Sequence, residues 1–104
     1  MPLKRLKSKT TRECLWPYIL SLMREGPLYA YEIRTKIKKR FGFKIGQVTA
    51  YVVLYKLEKG GYVVTNWERR DNRKRKYYQL TPNGEKLLKQ GIGYLRELSE
   101  KLAL

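Results

Sequence analysis

From Thr11 to Glu25 the apolar residues Leu15, Ile19, Leu22 and Met23 recur at helical spacing, and Gly26-Pro27 supplies a stop. Pro17 falls near the start of this first helix. A proline in a helix interior costs about 3 kcal/mol, so either the regular helix begins near Trp16-Pro17 or it is kinked there. A second helix is predicted over about Tyr29 to Arg40. Ile33 and Ile37 share a side with Tyr29 or Tyr31, the other face carries Arg34, Lys36, Lys38 and Lys39, and Phe41-Gly42 closes it. The third helix runs from Gly46 or Gln47 to Lys59, with Ala50, Leu54 and Leu57 as its buried stripe and Gly60-Gly61 as its end.

The pattern then changes period. Tyr62 to Trp67 is rich in β-branched and aromatic residues and reads as a strand, Asp71-Asn72 marks a turn, and Lys76 to Leu80 returns as the partner strand. Thr81-Pro82-Asn83-Gly84 opens a final helix, with Thr81 as N-cap and Pro82 at the first helical position. Along it Leu88, Gly91, Leu95, Leu98 and Leu102 are spaced 3, 4, 3 and 4, which is a heptad seam. The predicted fold is mainly α with a small β-hairpin, a winged helix-turn-helix followed by a C-terminal dimerisation helix. Its divisions are a basic N-terminal arm over 1–10, a winged-helix DNA-binding domain over 11–81 and the dimerisation helix over 82–104.

Charge supplies the partner. The 104 residues hold 24 Lys+Arg against 9 Asp+Glu, a formal net charge of +15, and with 42% apolar residues the chain is too hydrophobic for a disordered polycation. Such an excess on one small domain points to a polyanion, most economically double-stranded DNA. The arm carries Lys4, Arg5, Lys7 and Lys9 with no acid, and six bases lie between Arg69 and Lys76 at the hairpin tip. Residues 82–104 are nearly balanced and so serve another purpose. The outward positions of the third helix, Gln47, Thr49, Val52, Tyr55 and Lys56, are unlike the Lys/Glu-rich face of a merely solvated helix and suit base edges and thymine methyls.

Other classes drop out by count. With no His and a single Cys, Cys14, zinc fingers, disulfide scaffolds and His-based triads are excluded, no cofactor is expected, and nothing pairs a nucleophile with a base. No apolar run reaches the roughly 18 residues of a membrane span, and a signal peptide is lacking, so a cytoplasmic protein with no membrane partner is expected.

Three blocks of sequence resemble the PadR-like transcriptional regulators. Ile19 to Ile33 resembles the family's helix, Gly-Pro turn and opening of the second helix; Thr49-Ala50-Tyr51 with Leu54, Leu57-Glu58 and Gly61-Tyr62-Val63 is similar to the recognition helix and its exit; Arg75 to Thr81 with Gly84 is similar to the end of the wing and the start of the dimerisation helix. The resemblance runs from about Leu15 to Leu88. Ala30 and Val48 stand where the family usually has glycine. The resemblance implies a homodimeric DNA-binding repressor of the smaller subgroup. In many members a small aromatic or cationic molecule lifts repression; Trp16 and Tyr94 read first as core or interface packing, and the resemblance offers as the alternative an aromatic effector pocket between protomers that uses these two rings.

The residues expected at DNA are Lys44, Gln47, Thr49, Tyr51 and Lys56 around the third helix, and Arg69, Arg70, Arg73, Lys74, Arg75 and Lys76 on the wing. Those expected in the dimer interface are Leu15, Ile19, Leu88, Leu95, Leu98 and Leu102. A non-specific architectural DNA-binding protein, or an interaction module that sets the same basic face against an acidic partner, would also use this charge.

Overall fold

The computed structural model describes all residues from Met1 to Leu104. Eight elements follow one another: α1 (Pro2–Lys9), α2 (Trp16–Met23), β1 (Leu28–Tyr29), α3 (Ala30–Phe41), α4 (Gln47–Lys59), β2 (Val63–Arg70), β3 (Arg73–Leu80) and α5 (Pro82–Leu102).

Within the first ten residues, expected as a solvated arm, Pro2–Lys9 are helical without burying a single side chain. Pro2 suits a first turn because its missing N–H is an orphan there anyway. At the other end, Thr10 Oγ1 donates to the Leu6 carbonyl at 2.8 Å, and Glu13 accepts from Lys9 and Ser8 at 2.8 and 3.1 Å. The helix expected from Thr11 is shorter than its apolar period suggested. It starts at Trp16 with Pro17 in its first turn, so proline sets the boundary and no kink is needed.

α3 ends on Gly42, whose φ of +80° places it in the left-handed region while its N–H bonds back to Lys38 O. Arg34 Nε then donates to the Ile45 carbonyl at 3.3 Å and fixes the short turn into α4. The hairpin turns on Asp71 and Asn72, both at positive φ (53° and 62°), the backbone of a two-residue type I′ connection. Both strands run farther toward the tip than their composition indicated. The sheet also gains a third strand: two-residue β1 pairs antiparallel with β3, Leu28 opposite Tyr78 and Tyr29 opposite Tyr77, in the order β1-β3-β2.

Ile19, Leu20, Leu22, Ile33, Ile37 and Leu54 are fully buried where α2, α3 and α4 meet. α5 is seated on this unit by Thr81, whose Oγ1 accepts from Gly84 N at 3.0 Å and donates to Gly61 O at 2.7 Å. A Cβ on Gly84 would lie 2.1 Å from the Tyr62 carbonyl oxygen, so only glycine allows this approach. Leu88 follows, 1% exposed. Three residues assigned to a dimer interface are thereby corrected: Leu15, Ile19 and Leu88 are all buried within the protomer's own core. The heptad spacing of α5 disguised this, because its first turns have an internal partner in α2. Beyond Leu88 the helix leaves the core, and Tyr94, Leu95, Leu98 and Leu102 are exposed. The departure lengthens the molecule to 54 × 30 × 21 Å, with a radius of gyration of 14.9 Å. A compact domain of this length would have about 13 Å.

Candidate nucleic-acid interface

α4 presents three surfaces. Its buried stripe of Ala50, Leu54 and Leu57 packs on the core. Opposite the stripe, Val48, Val52 and Tyr55 recur at i, i+4 and i+7 and form an exposed crest. Thr49 and Lys56, two turns apart, occupy one flank, whereas Gln47, Tyr51 and Glu58 occupy the flank that turns toward the wing. The sequence-predicted residues of this helix are therefore all outward, but on two flanks of a crest that sequence reasoning only partly named. The first turn has Gly46 as N-cap with no side-chain hydrogen bond, which leaves its N–H groups open and the positive end of the helix facing solvent beside Lys44.

The wing is braced against α4 at its root. Glu58 Oε2 accepts from Thr65 Oγ1 at 2.9 Å, and Glu58 Oε1 lies 3.5 Å from Lys76 Nζ. Toward the tip its bases divide into two groups. Arg69, Arg73 and Lys74 are exposed and form no ion pair. Arg70 is committed, its Nη2 2.9 Å from Glu68 Oε1 and its guanidinium 4.4 Å from the centre of the Tyr77 ring. Arg75 stacks over Tyr29 at 4.3 Å. Sequence alone weighs these six bases equally; cross-strand register separates them, since Glu68 sits opposite Arg75 and the rings of Tyr77 and Tyr29 gather cations on one face.

Between the wing and the N-terminal halves of α3 and α4 lies a cleft of about 650 Å³, bordered by Tyr31, Tyr51, Trp67, Lys74, Lys76 and Tyr78 among others and by no acidic residue. Burial pushes the Tyr78 phenol up from its ordinary pKa, so it remains a neutral hydroxyl. Trp67 was not among the expected site residues. Period-2 alternation places it on the same face of β2 as buried Val63, but the strand runs past the edge of the core and leaves the indole 59% exposed.

The bases of α3 also divide. Arg40 Nη2 is held by Glu25 at 2.7 Å, while Lys38 and Lys39 are exposed. No three His, Cys, Asp or Glu side chains are grouped so as to hold a metal, and no helix is long and apolar enough to cross a membrane. Cys14 is free and half-buried in the turn before α2.

Residues 19–90 match the family model described as the transcriptional regulator PadR-like family. The chain belongs to the PadR-like family of transcriptional regulators. The solved structures agree with the match. A transcriptional regulator from Clostridium thermocellum is 36% identical, with 85% of this chain and 87% of that one covered and a TM-score of 0.75. A PadR-like transcription factor from Bacteroides fragilis is 28% identical over 94% and 95% of the two chains, with a TM-score of 0.78. Bacillus subtilis PadR, solved in complex with operator DNA, is 27% identical and superposes with a TM-score of 0.69, covering 75% of this PadR-like chain and 45% of its own. The winged-helix architecture read from the order of elements is thus the architecture of the family.

Proposed function

We propose that this PadR-like chain is a sequence-specific, double-stranded-DNA-binding repressor that acts as a homodimer on a pseudo-palindromic operator. One observation carries the reading. The exposed crest of α4 and the unpaired bases of the wing stand on either side of a cleft that no acidic residue lines, in the fold that Bacillus subtilis PadR brings to operator DNA. α4 enters the major groove. Gln47, Thr49 and Tyr51 meet base edges or flanking phosphates, Val48 and Val52 meet thymine methyls, and Lys44 and Lys56 take backbone phosphates. Arg69, Arg73 and Lys74 neutralise phosphates beside the groove, with Arg70, Arg75 and Lys76 recruited from their intramolecular partners.

Dimerisation rests on the bare half of α5. Leu95, Leu98 and Leu102 continue the heptad register where no internal partner remains, at 50%, 39% and 77% exposure. A second copy of the helix covers them and sets two recognition helices about 34 to 36 Å apart, the spacing of successive major grooves on one side of a duplex. A small aromatic effector binds at the same interface, where Tyr94 is exposed.

Selection of bound duplexes from a random library tests the function. A regulator enriches an inverted repeat, an architectural protein enriches nothing, and a module for acidic protein partners retains no duplex at physiological salt.

A further inference from the structure

Trp67 exposes 59% of its surface on a strand whose neighbouring bases would be soluble without it. The indole does not stand singly: Tyr31 and Tyr51, also exposed, border the same cleft, and a contiguous exposed aromatic patch marks a contact surface where a lone surface ring would not. The location of Trp67 follows from the way α4 and β2 run past one another. Glu58 and Thr65 are hydrogen-bonded at 2.9 Å, which fixes the two elements side by side. Tyr51 lies seven residues back along α4, roughly 10 Å. Trp67 lies two residues on along β2, roughly 7 Å. Both therefore reach the mouth of the same cleft, on the side away from the wing root and next to the start of the recognition helix. Lys74 places its ammonium 5.8 Å from the centre of the indole, and Lys76, whose ammonium lies 3.5 Å from Glu58 Oε1 behind the wall and is recruited from it by phosphate, borders the same wall. Hydroxyls come from Tyr31 and Tyr51, and no carboxylate lines the cleft.

Aromatic faces interleaved with ammonium groups, without acids, are the chemistry of a nucleic-acid strand channel. The cations follow the phosphates while the rings lie on sugars or bases. The geometry points to Trp67 as a DNA-contacting residue of the wing: the cleft takes one strand of the bound duplex, with its phosphates on Lys74 and Lys76 and a deoxyribose or base face against the indole. This rests on the DNA-binding reading above and deepens it. The basic tip supplies charge alone, whereas Trp67 supplies an apolar contact whose strength does not come from released counterions. An apolar contact and a phosphate contact therefore leave different signatures in salt.

The experiment uses the full chain labelled with 5-fluorotryptophan, which has two tryptophans and hence two 19F resonances, assigned by Trp67→Phe. Binding of a duplex selected from the library is followed in parallel by anisotropy of a dye on the DNA. At saturation the Trp67 resonance is expected to shift and to lose its H2O/D2O solvent-isotope effect, as a covered indole does. Trp67→Ala should weaken binding about tenfold at every salt concentration, giving a line parallel to the wild type in log K against log salt, and Trp67→Tyr should restore most of the loss. Lys74→Ala should instead reduce the slope. Saturation of the duplex with an unmoved, solvent-exposed Trp67 resonance overturns the inference and leaves the DNA-binding reading intact. So does an unchanged affinity in Trp67→Ala. Failure of the wild-type chain to bind any selected duplex overturns both.

Discussion

Trp16 packs so closely against Gly91 that a Cβ on the glycine would lie 2.7 Å from the ring's Cη2. The contact lies where α5 leaves the core, so the indole sets the course of the exposed half of the helix. A glycine in a helix interior costs roughly 1 kcal/mol relative to alanine, and here the close approach to Trp16 within one protomer accounts for it. Gly93, two residues on, has nothing within 4 Å of the same constructed atom. The two glycines should therefore respond oppositely to one substitution. Gly93→Ala should stabilise the fold by about 0.5 to 1 kcal/mol, and Gly91→Ala should destabilise it, because a half-buried ring packed against the core moves only at the expense of that packing. Chemical denaturation of both variants checks the signs; equal gains would show that Trp16 yields freely.

The second expectation concerns acid. Arg24 pairs with Glu85 through Nε and Nη2 at 2.6 to 2.9 Å, tying the end of α2 to the first turn of α5. The hydrogen bond from Arg24, reinforced by its charge, holds the Glu85 carboxyl below the usual carboxylate range. A carboxyl whose pKa is depressed on folding contributes stability above its unfolded pKa, in full at neutral pH, and that contribution is lost as pH falls through the folded value. Thermal unfolding followed from pH 7 down to pH 3 should show the wild type losing more than Glu85→Gln, with the two curves converging at the acid end. Parallel curves would mean that the pair contributes nothing to stability.

Much of this fold was legible because local signals agreed with the tertiary result. Thr81-Pro82 predicted a capped helix start, and Thr81 caps Gly84; Asp71-Asn72 predicted a turn, and both residues take positive φ. Where the reading failed, the cause was non-local. Two-residue β1 has too little sequence to show a period, and it exists because Leu28 and Tyr29 find Tyr78 and Tyr77 across the sheet. Leu88 and Leu95 are equivalent in a heptad, yet one is 1% and the other 50% exposed, because α2 extends under only the first turns. The wing bases were indistinguishable until the strand showed Arg70 and Glu68, two residues apart on one face of β2, joined in an ion pair that leaves Arg73 and Lys74 free.

That division makes a prediction about salt. Each phosphate contact contributes about 0.9 to the slope of log K against log salt. Replacing Arg69, Arg73 and Lys74 together by Ala should reduce the slope by about 2 to 3 per protomer with little change in folding stability. Arg70→Ala should change it less, since its guanidinium already serves Glu68. Titration of labelled duplex between 50 and 200 mM salt reads both; a larger effect from Arg70 would reverse the assignment.

For specificity, Gln47→Ala and Thr49→Ala should each lose about 1 to 3 kcal/mol on the selected operator and far less on a scrambled duplex. The flanks of α4 refine this expectation. Gln47 shares its side with Tyr51, and Thr49 shares its side with Lys56, so the two variants should relax discrimination at different operator positions. Repeating the library selection with each variant shows the relaxed positions. Equal losses on operator and scrambled duplex would assign these side chains to the backbone instead.

The assembly prediction turns on the contrast within α5. Leu95→Asp with Leu98→Asp places two carboxylates on a surface that is solvent-exposed in the protomer, so the fold should survive with its thermal transition nearly intact. In a dimer the same carboxylates would be buried without partners at several kcal/mol each, so the double variant should sediment as a monomer at micromolar concentration. Operator affinity should collapse toward that of a single half-site, because the partner's recognition helix no longer binds as part of one unit. Leu88→Asp is the contrasting control: at 1% exposure in the protomer core it should unfold the chain whatever its oligomeric state. A folded double variant that remains dimeric would place the interface elsewhere, and a wild type that sediments as a monomer would remove the dimer from the proposal.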